Sequence, residues 1–131
     1  MRRAAAAAAG LCAALIGCGT TSGDILGLGM SGGPLPKALH MHVTEDGRGS
    51  CNSRSLRELP GSLVLTARNI VREAKPLSKR GASFGAPAPG RRSFELRTPD
   101  GTVTWEEAAP ALPAVLPQAE ELALELQRAL C

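Results

Sequence analysis

Ser93-Phe94-Glu95-Leu96-Arg97-Thr98-Pro99-Asp100-Gly101-Thr102-Val103-Thr104-Trp105-Glu106 carries the clearest local structure in this chain. Phe94 and Leu96 alternate with Glu95 and Arg97, and Val103 and Trp105 alternate with Thr102 and Thr104. A period of two sends successive side chains to opposite faces of a strand. Between the two runs, Pro99-Asp100-Gly101 supplies turn chemistry, with Gly101 suited to positive φ. The stretch reads as a β-hairpin with Phe94, Leu96, Val103 and Trp105 on its buried face.

Helical periodicity flanks this hairpin. Leu56, Leu59, Leu63, Ala67, Ile70, Ala74 and Leu77 step by three and four residues and form one apolar stripe. Pro60-Gly61-Ser62 sets the start near residue 60, with Ser62 a candidate cap, and Pro76 marks the end. Ser62 to Thr66 also fits a strand, and Leu65 has no place on the apolar stripe. Arg68, Arg72 and Lys75 gather on another side. Ser78 to Arg92 contains Gly81, Gly85, Pro87, Pro89 and Gly90 and reads as a long loop, a tolerated insertion more readily than a partner contact. After the hairpin, Leu112, Val115, Ala119, Leu122, Leu126 and Leu130 form the stripe of a closing helix, with Pro117 in its first turn.

Upstream, Lys37 to Thr44 alternates as a half-buried strand, with Leu39, Met41 and Val43 to one side and His40 and His42 to the other. Glu45-Asp46-Gly47 turns it into a second, irregular strand over Arg48 to Ser55. The expected fold is α+β over residues 37–131. Two N-terminal strands and the C-terminal hairpin form a small antiparallel sheet against two amphipathic helices, in the order ββαββα. Residues 18–36, rich in Gly, Ser and Thr, read as a flexible tether. Gly27 to Gly33 lacks the Lys-Ser/Thr of a phosphate loop.

The first residues read as an address. Arg2 and Arg3 precede an uncharged apolar run from Ala4 to Ile16. That run is shorter than the roughly 20 apolar residues a spanning helix needs. Leu15-Ile16-Gly17-Cys18 resembles the lipobox of bacterial lipoproteins. The resemblance implies cleavage of residues 1–17, lipidation of the Cys18 thiol, palmitate among the acyl groups and a membrane anchor. Cys12 follows Leu11, which is too large for the position before the cut. Gly19 in place of aspartate points, by the same resemblance, to the outer rather than the inner membrane of the envelope.

Of 15 basic residues, Arg2 and Arg3 leave with the signal, so 13 face 12 acidic ones. That balance gives nucleic acid no electrostatic footing. Phe84, Phe94 and Trp105 are the only aromatic residues, so stacking platforms are scarce. With Cys18 lipidated, Cys51 and Cys131 remain in an oxidising compartment and are expected to form a disulfide, the other reading being two free thiols.

From Leu59 onward the chain resembles the emfourin-type proteins, small bacterial inhibitors of thermolysin-like metalloproteases. The residues that carry the resemblance are Ile70-Val71-Arg72-Glu73-Ala74-Lys75-Pro76-Leu77, then Ser93-Phe94-Glu95-Leu96-Arg97 with Asp100-Gly101 and Val103, then Leu112-Pro113 and Leu116. They span a little over half the chain. The family's glycine-glycine-aromatic opening is absent, and Asp46-Gly47-Arg48-Gly49 is a poor counterpart. The resemblance transfers no inhibitory residue.

Catalysis needs a base or nucleophile held by partners, and the sequence offers none in recognisable order. His40 and His42 lie two apart on one strand face but lack a third metal ligand at suitable spacing. No catalytic residue, cofactor or metal is expected. The expected function is that of a membrane-anchored protein-binding module, whose partner would be a thermolysin-like protease if it is an inhibitor. The alternative is a structural or assembly lipoprotein of the envelope without inhibitory activity.

Overall fold

The computed structural model describes residues 23–131. The expected signal peptide, the lipobox and the lipidation residue Cys18 lie outside that range. Seven strands form one sheet: β1 (Asp24–Gly32), β2 (Leu39–Thr44), β3 (Arg48–Cys51), β4 (Arg57–Glu58), β5 (Ser83–Phe84), β6 (Arg92–Thr98) and β7 (Gly101–Glu106). Among the described residues three helices accompany them: α1 (Gly61–Glu73), α2 (Lys75–Lys79) and α3 (Val115–Leu130). The strand order across the sheet is β4-β3-β2-β1-β6-β7-β5. Neighbours are antiparallel except β5, which lies parallel to β7. The protein is therefore α+β, with a larger sheet than expected and the chain order ββββααβββα in place of ββαββα.

The largest correction concerns the tether. Asp24–Gly32 is the central strand, hydrogen-bonded to β2 on one side and β6 on the other. Its apolar residues alternate: Leu26, Leu28 and Met30 are each 1% exposed and face the helices, while Gly27, Gly29 and Ser31 take the opposite face. Glycine lowers the intrinsic strand preference of this run. Ladder bonds on both edges and three buried side chains offset that cost, since each large apolar side chain stabilises by roughly 1.5–3 kcal/mol on burial.

The hairpin forms as read, with Phe94, Leu96, Val103 and Trp105 at most 2% exposed. Phe94 pairs with Trp105 across the strands, and their rings stack at 5.5 Å between centroids. Thr98 pairs with Gly101 to close the turn. The core sits between this sheet face and the helices, where Ile70 of α1 and Leu116, Leu122 and Leu126 of α3 are buried.

Helix boundaries differ in detail. Pro60 occupies the position before α1, and Ser62 lies inside the helix without capping it. α1 ends at Glu73, just ahead of Pro76 as expected, but a second short helix follows at once and Pro76 belongs to it. The proline sits in the first turn of α2, where a missing N–H costs nothing, and Leu77 stays buried. The expected loop over Ser78 to Arg92 contains the end of α2, the buried Ala82 and the strand β5. Cys51 of β3 and Cys131 after α3 form a disulfide with 5.4 Å between their Cα atoms. Among the described residues no helix is long and apolar enough to cross a membrane.

Candidate functional site

The helices cover one face of the sheet. The other face is polar and open, and its centre is low because β1 presents Gly27 and Gly29 there. Strand register builds this surface in rows. His40 and Glu95 flank Gly29, while His42 and Arg97 flank Gly27. One row further, Ser31 faces Ser93, and Ser93 pairs with Glu106. Alternation on each strand puts all of these on one side, because residues two apart share a face.

Among the depressions on this surface, two adjoin at Gly29, His40, Glu95 and Arg97. The larger, about 410 Å³, is lined by Ser31, His40, Phe84, Ser93, Glu95 and Thr104. The smaller, about 280 Å³, spans Gly27, Gly29, His40, His42, Glu95 and Arg97. Residues after β5 wall one end, with Gly85 and Pro87 lining the larger depression. β5 is anchored by the Thr104 hydroxyl, which donates to Ser83 Oγ at 2.9 Å.

The side chains around the groove are held in place. His42 Nδ1 donates to Asp24 Oδ2 at 3.1 Å. Arg97 Nε donates to Glu95 Oε1 at 2.6 Å, so an exposed cation and its anion lie together on β6. Ser93 donates its single hydroxyl proton to one or other oxygen of Glu106, at 2.8 and 2.7 Å. Glu106 is only 7% exposed. Behind it, Arg92 Nε donates to Glu107 Oε2 at 2.6 Å. Trp105 Nε1 donates to Glu120 Oε1 at 2.9 Å, linking the sheet to α3.

Glu106 and Glu107, like Glu120 and Glu121, are neighbours in sequence, a pattern that by itself reads as solvated surface. For Glu106, Glu107 and Glu120 the structure shows instead carboxylates bonded to partners on other elements, Ser93, Arg92 and Trp105. The signal was weak, because adjacent Glu pairs give no hint that one member points inward. His40 and His42 do share the open face, as their spacing implied. Among the described residues no group of three side chains could hold a metal ion. The groove itself was not anticipated, since its floor lies in the run read as a tether.

One carboxyl away from the groove has shifted acidity. The Thr44 hydroxyl and then Arg48 hold Asp46 below its ordinary value, tying the turn between β2 and β3. Arg48 Nε donates to Asp46 Oδ2 at 3.0 Å. Comparison with family models, curated proteins and solved structures gives no match for this chain.

Proposed function

We propose that this protein is a membrane-anchored lipoprotein of the bacterial envelope that acts as a protein-binding module through the open face of its sheet. The observation that carries the reading is that face: a polar surface with a glycine floor, flanked by His40, His42, Glu95 and Arg97 and walled by the segment after β5. The groove is shallow and broad, which suits a segment of another protein better than a small molecule that must be enclosed. The support for the anchor is the resemblance of Leu15-Ile16-Gly17-Cys18 to a lipobox, and Gly19 in place of aspartate favours the outer membrane over the inner.

Metalloprotease inhibition is the sharpest form of this function. Its support is the resemblance to emfourin-type proteins, whose carrying residues fall on α1, α2, β6, β7 and α3 in the expected order. Fold analogy alone does not transfer activity, so the test is direct. Residues 19–131, produced in an oxidising compartment, are titrated against thermolysin-like proteases with serine proteases as controls. Selective stoichiometric inhibition establishes the inhibitor. Absence of inhibition, with a partner captured by crosslinking on the membrane and released by substitution in the groove, leaves a binding or assembly lipoprotein.

A further inference from the structure

The outward side of α1 is the least expected surface of the molecule. Leu65 is 63% exposed, the most exposed large apolar side chain among the described residues. Arg68 and Arg72 follow it on α1 at helical steps of three and four, and Lys75 and Lys79 stand four apart on α2, which begins just after Ala74. All four cations are exposed, and no salt bridge among the described residues involves them. Glu73 is one residue past Arg72 and so lies about 100° round the helix from it. An exposed leucine alone carries little meaning. α1 keeps its own apolar face in the core, with Ala67 and Ile70 buried, and turns outward one leucine beside a group of cations, which suits the surface of an anionic bilayer.

The position of this stripe relative to the N-terminal chain supplies the occupant. The Glu45 N–H donates to the Gly23 carbonyl at 3.0 Å, which fixes where the chain enters the fold. Arg68 Nη2 donates to the Glu45 carbonyl at 3.1 Å. Leu65, Arg68 and Glu45 line one shallow depression. The stripe therefore begins beside Gly23. Only five residue steps separate Cys18 from Gly23, a reach of at most about 18 Å.

We propose that the outward side of α1 and α2 is a membrane-contact surface, on which Arg68 and Arg72 of α1 and Lys75 and Lys79 of α2 bind anionic phospholipid headgroups while Leu65 enters the interfacial layer. The proposal rests on the lipoprotein reading, since a lipid on Cys18 brings a bilayer within reach of this face. Glu45, Asp46 and Glu58 border the same depression and limit the affinity. The cationic side chains act locally, because 13 basic residues nearly balance 12 acidic ones once Arg2 and Arg3 are removed. With this face toward the bilayer, lipid anchor and helix together hold the domain in one orientation.

The test uses unlipidated protein, residues 19–131, because the core, the sheet and the disulfide all lie within residues 23–131. Co-sedimentation is measured with phosphatidylglycerol-rich vesicles and with pure phosphatidylcholine vesicles. Binding is expected only to the anionic vesicles, weakening as salt rises. Arg68→Gln with Arg72→Gln should lower the partition coefficient about thirtyfold, at about 1 kcal/mol per basic residue. Arg91→Gln, a charge change beside Gly32 at the opposite end of β1, should leave it within about twofold. Trp105 fluorescence confirms that each variant is folded. Equal binding to both vesicle types, no binding, or indifference to the Arg68 and Arg72 substitutions overturns the proposal. Palmitate labelling of the full chain against Cys18→Ala tests the anchor separately. Labelling without stripe-dependent vesicle binding overturns the membrane-contact surface and leaves the lipoprotein. Stripe-dependent binding without labelling supports the surface and overturns the anchor.

Discussion

At the scale of single residues, close packing decides which glycines are required. A Cβ on Gly49 would lie 2.8 Å from the His42 carbonyl, 2.9 Å from Leu59 Cδ1 and 3.0 Å from Leu130 Cδ1. The last two atoms belong to side chains packed against or within the core, so they have little room to move. Gly49→Ala should destabilise by about 1–3 kcal/mol, the usual cost of overpacking, and urea unfolding measures it. Asp46 gives a second residue-level prediction. Its folded-state pKa is lowered by the Thr44 hydroxyl first and Arg48 next. A lowered carboxyl pKa contributes stability that is present above the unfolded value of about 3.9 and is lost as pH falls through the folded value. Thr44→Val removes the leading cause. The Asp46 titration, followed by carboxyl-carbon NMR, should then move up toward the ordinary range, and the turn should loosen at a higher pH. An unmoved titration would contradict this assignment.

At the scale of elements, the disulfide joins β3 to the end of α3 across a sequence separation of 80. In the chain-entropy model a crosslink over a loop of this size stabilises by about 4.5 kcal/mol. Arg54 Nη1 also donates to the Cys131 carbonyl at 3.0 Å, and that bond needs the terminus in place. Cys51→Ala with Cys131→Ala should therefore lower stability by several kcal/mol, about 2–5 by experience with native disulfides in small secreted domains. Amide exchange should show the last turn of α3 fraying before the hairpin opens, because the hairpin keeps the Phe94–Trp105 stack. A two-dalton mass change on reduction identifies the bond in material from the cell envelope. The two helices take their positions from the same sheet face, which explains why the periodicity of each was readable in isolation. Their ends were not, because the boundary at Ala74 and the place of Pro76 depend on how Leu77 reaches the core.

For the whole molecule, the groove lies on the sheet face opposite the one that the helices cover. The groove can be filled without disturbing the core. A Cβ on Gly29 would lie 3.5 Å from His40 Nδ1 and 3.6 Å from Glu95 Cβ, which is ordinary contact. Gly29→Ala should leave stability within about 1 kcal/mol of the parent, as strand glycines are themselves unfavourable by about that amount. Gly29→Gln projects a long side chain into the depression. It should weaken partner binding or inhibition while the melting temperature stays near that of the parent. Titration calorimetry or inhibition kinetics beside thermal unfolding reads both quantities. Full binding by a folded Gly29→Gln protein would place the partner elsewhere.

The sequence by itself determined the parts held by local pattern. The hairpin needed only its period-two alternation and the Pro99-Asp100-Gly101 turn. The amphipathic helices needed only three- and four-residue spacing, and the pairing of Cys51 with Cys131 followed from counting cysteines once the lipobox resemblance set Cys18 aside. What tertiary structure alone decided was the role of Asp24–Gly32. Leu26, Leu28 and Met30 do alternate, but Gly27, Gly29 and Gly32 give the run the composition of a linker. Its strand exists because β2 and the distant β6 bond to both its edges and because the helices bury one face. That pairing joins residues more than sixty apart, such as Gly27 and Arg97, and no local preference encodes it. The groove inherits the same dependence, since its floor is that strand and its walls come from β2, β6 and the segment after β5.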